Sequence, residues 1–209
     1  MAFTFIRSRD GNTDIIRDDL QLKVSGVAAV GDLLEFASGK LQRCNAQADT
    51  PEYVAVEAAA ATSTSLTTLK VIEVGRSVFQ TAITPLINDV TASSGSTTTA
   101  VFTMGAGSSD DLVGGTIYIK ELDAHRIISA NTYGGGNCTV TFIEPLTRAV
   151  ASGDTVRLVP FGPGTRALKL GSSNPHSTVS VAIADITGGS ARVRKVDLKK
   201  KVVDVYFRD

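Results

Sequence analysis

The sequence predicts an all-β protein in which a small β-barrel or sandwich domain is interrupted by an inserted second small β domain. Ser, Thr, Gly, Val and Ala dominate the chain, and good helix formers never recur at helical spacing over a long stretch. Turn signals separate short apolar runs at intervals of roughly 8–15 residues, which is typical of sandwiches and barrels. The composition shifts near Pro85 and at residues 161–165. We therefore expect residues 1–87 and 161–209 to form a discontinuous base domain with an N-terminal arm, and residues 88–160 to form the inserted module.

The clearest strand pattern lies in residues 27–58. Gly-Asp at 31–32 precedes an apolar strand, because glycine permits positive φ and Asp hydrogen-bonds to nearby backbone. Ser-Gly-Lys at 38–40 predicts a tight reversal, and residues 41–44 return as the hairpin partner. A polar loop then leads to a further strand at 53–56. This pattern predicts the wall of a small β-barrel.

The N-terminal segment alternates weakly over residues 3–9 and ends at Asp-Gly-Asn (10–12), a strong turn signal. It is therefore predicted to form either a hairpin or an extended arm. Residues 20–30 are predicted to form a strand, whereas the low-complexity residues 58–68 fit a short helix and a loop equally well. Further strands of the base domain are predicted at 69–74, 77–82, 167–170, 178–184, 191–196 and 202–207.

The second block begins with residues 88–99, which are almost all small and polar and predict a linker or a hairpin tip at the domain boundary. Its strands are predicted at 100–104, 116–120, 124–130, 138–143 and 155–159. Because the strands after residue 161 return to the style of the first block, an insertion accounts for the order. Closing the base strands into a barrel would remove exposed sheet edges.

Composition and charge argue against several function classes. Lys plus Arg and Asp plus Glu number 21 each, so the formal net charge is zero and bulk attraction to nucleic-acid phosphates is not expected. No apolar run approaches the roughly 18 residues of a membrane span, and the N-terminus lacks the regions of a signal peptide. We therefore expect a protein made in the cytosol that has neither nucleic acid nor membrane as a partner.

The residues that carry chemistry form no recognisable reactive site, so we assign no catalytic residue, cofactor or metal. His125 and His176 accompany no nucleophile motif such as GxSxG. Zinc-ligand spacings and calcium-loop motifs are missing from the sequence. Residues 162–167 match GxGxxA, but their proline removes an amide that a dinucleotide phosphate would need. Cys44 and Cys138 are expected to be reduced thiols, with a disulfide as the alternative.

A basic run near the C-terminus is a candidate contact for a partner, and it comprises Arg192, Arg194, Lys195, Lys199, Lys200 and Lys201. The interleaved aromatics and basic surplus that are typical of nucleic-acid binding are missing. We interpret the lysine triplet as a hairpin turn with the neighbouring charges on its solvent face. An acidic partner surface is the alternative interpretation.

Residues 31–59 read GDLLEFASGKLQRCNAQADTPEYVAVEAA, and residues 69–80 read LKVIEVGRSVFQ. They contain, in order, a Gly-Asp before an apolar strand, a Gly-Lys turn, a short polar loop, a strand entering an alanine-rich segment, and a strand ending in glycine. This order resembles the small β-barrel capsid cement, or decoration, proteins of tailed bacteriophages. In the second block, VGGTIYIKELDAHRIISAN and CTVTFIEPLTRAVASGDTVRLV resemble β-modules common in phage structural proteins.

The resemblance implies a non-enzymatic virion protein that binds the outside of the expanded capsid and bridges neighbouring major capsid protein subunits. It also implies synthesis in the host bacterial cytoplasm and a homo-oligomer, with a trimer favoured. The expected contact is an N-terminal arm that adds a strand to a capsid sheet edge. The residues expected to bind are Ala2, Phe3, Phe5, Arg7, Arg9 and Arg17. The alternatives are a tail, baseplate or fibre module that binds glycans or the host surface, and a glycan hydrolase.

Overall fold

The structure, a computed structural model, describes residues 2–8, 16–62, 67–75, 77–105, 107–165 and 168–207. Within these residues the chain is almost entirely β, with only two short 3-10 helices, at Lys120–Leu122 and Ile183–Asp185. This confirms the all-β class that the sequence predicts. The predicted turn at residues 10–12 lies outside the described residues.

Seventeen strands are present in the described part of the chain. In chain order the first nine are β1 (Thr4–Ser8), β2 (Ile16–Gln21), β3 (Val27–Ala28), β4 (Leu33–Ala37), β5 (Lys40–Arg43), β6 (Tyr53–Ala55), β7 (Ala59–Ala60), β8 (Thr68–Glu73) and β9 (Ser77–Ala82). The other eight are β10 (Ile87–Gly95), β11 (Thr99–Thr103), β12 (Thr116–Ile119), β13 (Ala124–Gly134), β14 (Asn137–Phe142), β15 (Thr155–Val159), β16 (Ala191–Asp197) and β17 (Val202–Phe207).

Strands β10 to β15 close into a six-stranded antiparallel barrel with the order β10-β11-β14-β13-β12-β15. Alternate residues point into the barrel, as in β14, where Cys138, Val140 and Phe142 are buried. Because the barrel is closed, each of its strands is paired on both edges and no strand edge is offered to solvent.

Besides β3 and β7, which form a separate two-stranded sheet, five of the strands before the barrel form a sheet with the order β2-β8-β6-β4-β5. The predicted hairpin is β4–β5, and Ser38 and Gly39 at its turn have positive φ values of 52° and 76°, as a tight reversal requires. The two edge strands of this sheet approach each other through a parallel bridge between Leu22 and Leu41. The sheet therefore curls around a small apolar core of its own.

A four-stranded sheet with the order β1-β9-β17-β16 joins the two ends of the chain. Strands β1 and β9 precede the barrel and β16 and β17 follow it, so the chain leaves this sheet, forms the barrel and returns. Phe3, Phe79 and Phe207 lie in the core beneath the sheet. Tyr118 and Val159 of the barrel pack into the same core, which makes the apolar interior continuous between barrel and base.

The predicted linker at residues 88–99 is wrong, because β10 occupies most of the segment and pairs with both β11 and β15; only residues 96–98, between β10 and β11, form a hairpin tip. Ile87 and Ala92 of β10 are buried and Val90 is half-buried against the barrel core, whereas the other residues of the strand are small or polar and exposed or half-buried. A barrel strand needs apolar side chains on its inner face only. A strand that supplies so few of them resembles a loop in sequence.

Three further strand predictions are wrong in detail. Residues 20–30 are divided between β2 and β3, with a turn between them. Residues 168–170 and 178–184 form no strand: Leu168, Leu170 and Val179 make isolated bridges, and the second segment ends in the 3-10 helix Ile183–Asp185. These apolar side chains are buried although their segments are irregular. The alternation of apolar and polar residues there reflects burial of the apolar side chains, and no ladder of strand hydrogen bonds accompanies it.

Candidate functional site

The N-terminal segment is neither a hairpin nor a free arm over its described residues. Strand β1 pairs with β9, whereas β2 pairs with β8 in the five-stranded sheet. Because β1 is the edge strand of its sheet, no described strand pairs with its outer edge. Phe5 and Ile6 on β1 are 39% and 43% exposed. An open edge beside exposed apolar side chains fits strand addition by a partner.

The residues expected to bind a partner lie in different environments. Ala2 and Arg7 are exposed. Phe3 is only 3% exposed, and its ring centroid lies 5.7 Å from that of Phe207 in an edge-to-face contact. Phe3 therefore belongs to the core, whereas Ala2, Phe5 and Arg7 are accessible at the surface.

Arg17 lies on β2, outside the sheet that contains β1. Its guanidinium donates to both carboxylate oxygens of Asp19, at 3.2 and 2.9 Å, and Nη1 lies 3.7 Å from the carboxylate of Glu73. The hydrogen bonds from Arg17 lower the pKa of Asp19. The charge of Arg17 is thus balanced within its own sheet. Arg9, the remaining expected residue, lies outside the described residues.

A second arrangement, which the sequence reasoning missed, joins the barrel to the C-terminal hairpin. Arg157, Tyr118 and His125 are neighbours across β15, β12 and β13, and we call them the junction row. The turn of the β16–β17 hairpin, residues 198–201, lies against this row. Arg157 donates to two backbone carbonyls of the turn, at 2.9 and 3.1 Å. The signal in the sequence is the run TIYI at β12, which lacks the alternation of apolar and charged residues that a half-exposed strand shows. All four of its residues are buried, as expected of a strand that is covered on both faces.

Charged side chains reinforce this junction. Arg157 binds both carboxylate oxygens of Asp89, at 2.7 and 3.2 Å, and Lys201 reaches the same carboxylate at 3.2 Å. Lys199 binds Asp123 at 2.6 Å. The hydrogen bond from Arg157 is the main cause that lowers the pKa of Asp89. The lysine triplet does lie in a hairpin turn, but two of its members bind the barrel instead of facing only solvent.

His125 takes part in the junction through a hydrogen bond to backbone. Its Nε2 accepts from the N–H of Leu198 at 2.9 Å, and its ring centroid lies 4.6 Å from that of Tyr118. Burial lowers the pKa of His125, and this effect outweighs the opposite influence of Asp197 and Asp123. The neutral ring therefore carries its proton on Nδ1, and the lone pair that a general base would use is engaged by the turn.

Other reactive groups are buried or engaged. Cys44 and Cys138 are free thiols in different cores. Burial raises the pKa of both thiols, that of Cys138 to about 11. Asp111 accepts hydrogen bonds from the side chains of Asn131 and Tyr133, at 2.9 Å each. In the described ranges, no three His, Cys, Asp or Glu side chains are grouped so that they could hold a metal ion.

Scans against protein-family models, curated proteins and solved structures find no match to this chain. Across the part of the chain that the structure describes, no helix has the length and apolar character needed to cross a membrane.

Proposed function

We propose that this chain is a non-enzymatic structural protein of a phage virion, which binds the outer surface of the assembled capsid and bridges neighbouring major capsid protein subunits. The observation that carries the proposal is the open edge of β1, where Phe5 and Ile6 are exposed. Proteins that act alone usually block or cover such an edge. An open edge beside apolar side chains therefore supports a protein that completes its sheet against a partner.

The proposed contact differs from a free arm that reaches into the capsid. Strand β1 is already paired with β9, and Phe3 anchors its start in the core. The capsid subunit would therefore supply a strand to the outer edge of β1. Main-chain hydrogen bonds would give affinity, and the side chains of Phe5 and Ile6 would add apolar contact.

The junction between barrel and base supports a bridging role. The two parts share apolar core at Tyr118 and Val159, and Arg157 bonds to both Asp89 and the hairpin turn. A protein that holds two subunits together has to carry load between its contact surfaces. A shared core with charge-assisted hydrogen bonds transmits such load, whereas a flexible linker does not.

Stabilisation of the capsid would follow from mass action. A protein that binds the assembled lattice but not the free subunit adds its binding free energy to the cost of disrupting the shell. At a free concentration one hundred times Kd, each bound copy contributes about 2.7 kcal/mol. This mechanism needs no reacting group.

Cosedimentation with empty, expanded heads of the tailed phage that encodes the chain tests the proposal. We expect wild-type protein to pellet with the heads and Ile6→Asp to bind at least tenfold more weakly, because a carboxylate beside the strand edge opposes apolar pairing. The matched control is Ile143→Asp, since Ile143 is 64% exposed on the barrel and should tolerate the change. Loss of head binding by both variants alike, or no binding by wild type, would contradict the proposal.

The same assay with host cells separates the tail, baseplate or fibre alternative. A glycan-binding module should pellet with cells rather than heads. The groove beside the junction row has a volume of about 370 Å³, and its described lining contains no Phe, Tyr or Trp ring on which a sugar would stack.

Sedimentation equilibrium of the free protein tests the proposed trimer.

A further inference from the structure

One face of the four-stranded sheet carries four basic side chains, which we call the basic face: Arg7, Arg192, Arg194 and Lys195. Arg192 pairs with Tyr206 across β16 and β17, and Lys195 pairs with Asp204, so these side chains share one face of the sheet. The β16 ladder shifts its register between Val193 and Lys195, at Arg194. Such a bulge re-aims the extra side chain. Arg7 and Arg194 both line a groove of about 390 Å³ on this sheet, together with Tyr206.

The basic face differs from the junction in how its charges are compensated. Arg7, Arg194 and Lys195 are exposed, and within the described ranges none of them forms an ion pair. The Nε of Arg192 is buried without a hydrogen-bond partner among the described residues. By contrast, Lys199 and Lys201 of the neighbouring turn are each paired with a carboxylate of the barrel.

Two carboxylates, Asp204 on β17 and Asp197 on β16, lie in this sheet, and against four basic side chains they leave a surplus of positive charge. Asp204 accepts a hydrogen bond from Nε2 of Gln80 at 2.8 Å, and Asp197 accepts one from the backbone N–H of Lys200 at 3.0 Å. Because the whole chain has a formal net charge of zero, the surplus of positive charge on this face is local. A local surplus on an otherwise balanced protein steers one kind of partner to one surface.

We propose that the basic face binds an extended acidic segment of a partner protein. The groove is lined from β1 through β9 and β17 to β16. Three strand spacings of roughly 4.8 Å span about 14 Å, which four residues of an extended chain cover at about 3.4 Å each. Arginine side chains favour carboxylates because their guanidinium planes donate two parallel hydrogen bonds.

A protein segment fits this face better than nucleic acid does. Binding of single strands combines basic side chains with several aromatic platforms. Tyr206 is the one aromatic ring among the described groove residues. The proposal goes beyond the capsid-binding function, and it is tested without any capsid, so either can fail while the other stands.

The test measures fluorescence anisotropy with a labelled octapeptide of alternating glutamate and serine. We expect wild-type protein to bind it with an affinity that falls as salt is raised, because exposed ion pairs are screened. Arg194→Glu/Lys195→Glu should weaken binding at least tenfold, and Arg194→Gln/Lys195→Gln should weaken it less. Circular dichroism should show the same fold for all variants, since both positions are exposed.

The matched control is Lys120→Glu/Lys200→Glu, which changes the net charge equally at exposed positions away from the groove. Its affinity should remain within twofold of wild type. Equal weakening by the control would show that only net charge matters and would overturn the proposal. It would also be overturned if wild type fails to bind the peptide, or binds a thymidine oligonucleotide of equal length as tightly.

Discussion

The imidazole Nε2 of His125, on barrel strand β13, accepts a hydrogen bond from the backbone N–H of Leu198 at 2.9 Å. Leu198 lies in the turn of the C-terminal hairpin, so this bond connects the barrel to the four-stranded sheet. A protonated imidazole has no lone pair with which to accept it. Protonation of His125 and docking of the turn therefore oppose each other.

We expect the stability of the protein to fall as the pH is lowered below about 6.5. Burial lowers the pKa of His125 from its ordinary value of 6.5, so the unfolded chain binds the proton more readily than the folded chain. The contribution of the bond is thus complete above that pH and is lost progressively below it. Thermal unfolding at about pH 7.5 and about pH 5 measures the change.

His125→Ala, compared with wild type at each pH, provides the variant for this measurement. His125→Ala should lose about 1 kcal/mol at neutral pH, the typical net value of one hydrogen bond, and its deficit should shrink in acid. Identical pH profiles for wild type and His125→Ala would contradict the role of this bond.

Arg157→Ala should destabilise the protein by about 2–3 kcal/mol in urea unfolding, because charged hydrogen bonds are stronger than neutral ones. The substitution removes bonds to Asp89 and to the hairpin turn from a side chain that is only 13% exposed. Lys70→Ala is the control, since Lys70 on β8 lies 3.9 Å from the carboxylate of Glu57 and the two side chains are 55% and 43% exposed. An exposed pair of this kind contributes about 0–1 kcal/mol. Equal losses for the two variants would contradict the special role of the junction.

Gly31→Ala should destabilise the fold more than Gly39→Ala does. Both glycines have positive φ, 82° and 76°, so each alanine incurs a backbone strain of about 1 kcal/mol. A Cβ on Gly31 would also lie 2.5 Å from the carbonyl oxygen of Phe3, whereas one on Gly39 would meet nothing within 4 Å. We expect an additional loss of about 2 kcal/mol for Gly31→Ala, within the range for overpacked sites.

Hydrogen exchange locates this effect. The clash in Gly31→Ala should displace the start of the N-terminal strand, so the amides of β1 should exchange faster than in Gly39→Ala. Unchanged exchange of β1 with equal stability losses would show that Gly31 does not hold the N-terminus in place.

Phe3→Ala should cost about 3 kcal/mol, because it removes a buried ring from the core beneath the four-stranded sheet. Phe5→Ala should cost about 1 kcal/mol, since Phe5 is 39% exposed and loses less burial. Denaturant midpoints of the two variants give the comparison. A larger loss for Phe5→Ala would mean that the start of the chain does not anchor through Phe3.

Local signals in the sequence were sufficient for many elements. The β4–β5 hairpin, β9 and β15 follow from turn residues and apolar alternation, which act over a few neighbouring positions. The same reasoning fails for β10, whose small polar residues form a barrel strand through pairing with β11 and β15. The predicted binding residues are close in sequence but separate in the fold, because Phe3 is buried and Arg17 lies in another sheet.

The sequence by itself determined the β class, the positions of the tight turns and most of the strands, because these depend on the conformational preferences of adjacent residues. Only the tertiary structure decided that β1 is an edge strand, that Lys199 and Lys201 bind the barrel, and that Arg7 lies in one sheet with Arg192, Arg194 and Lys195. These relationships join residues that are far apart in the chain. Strand pairing and ion pairing at such separation depend on the whole packed fold, which no short stretch of sequence encodes.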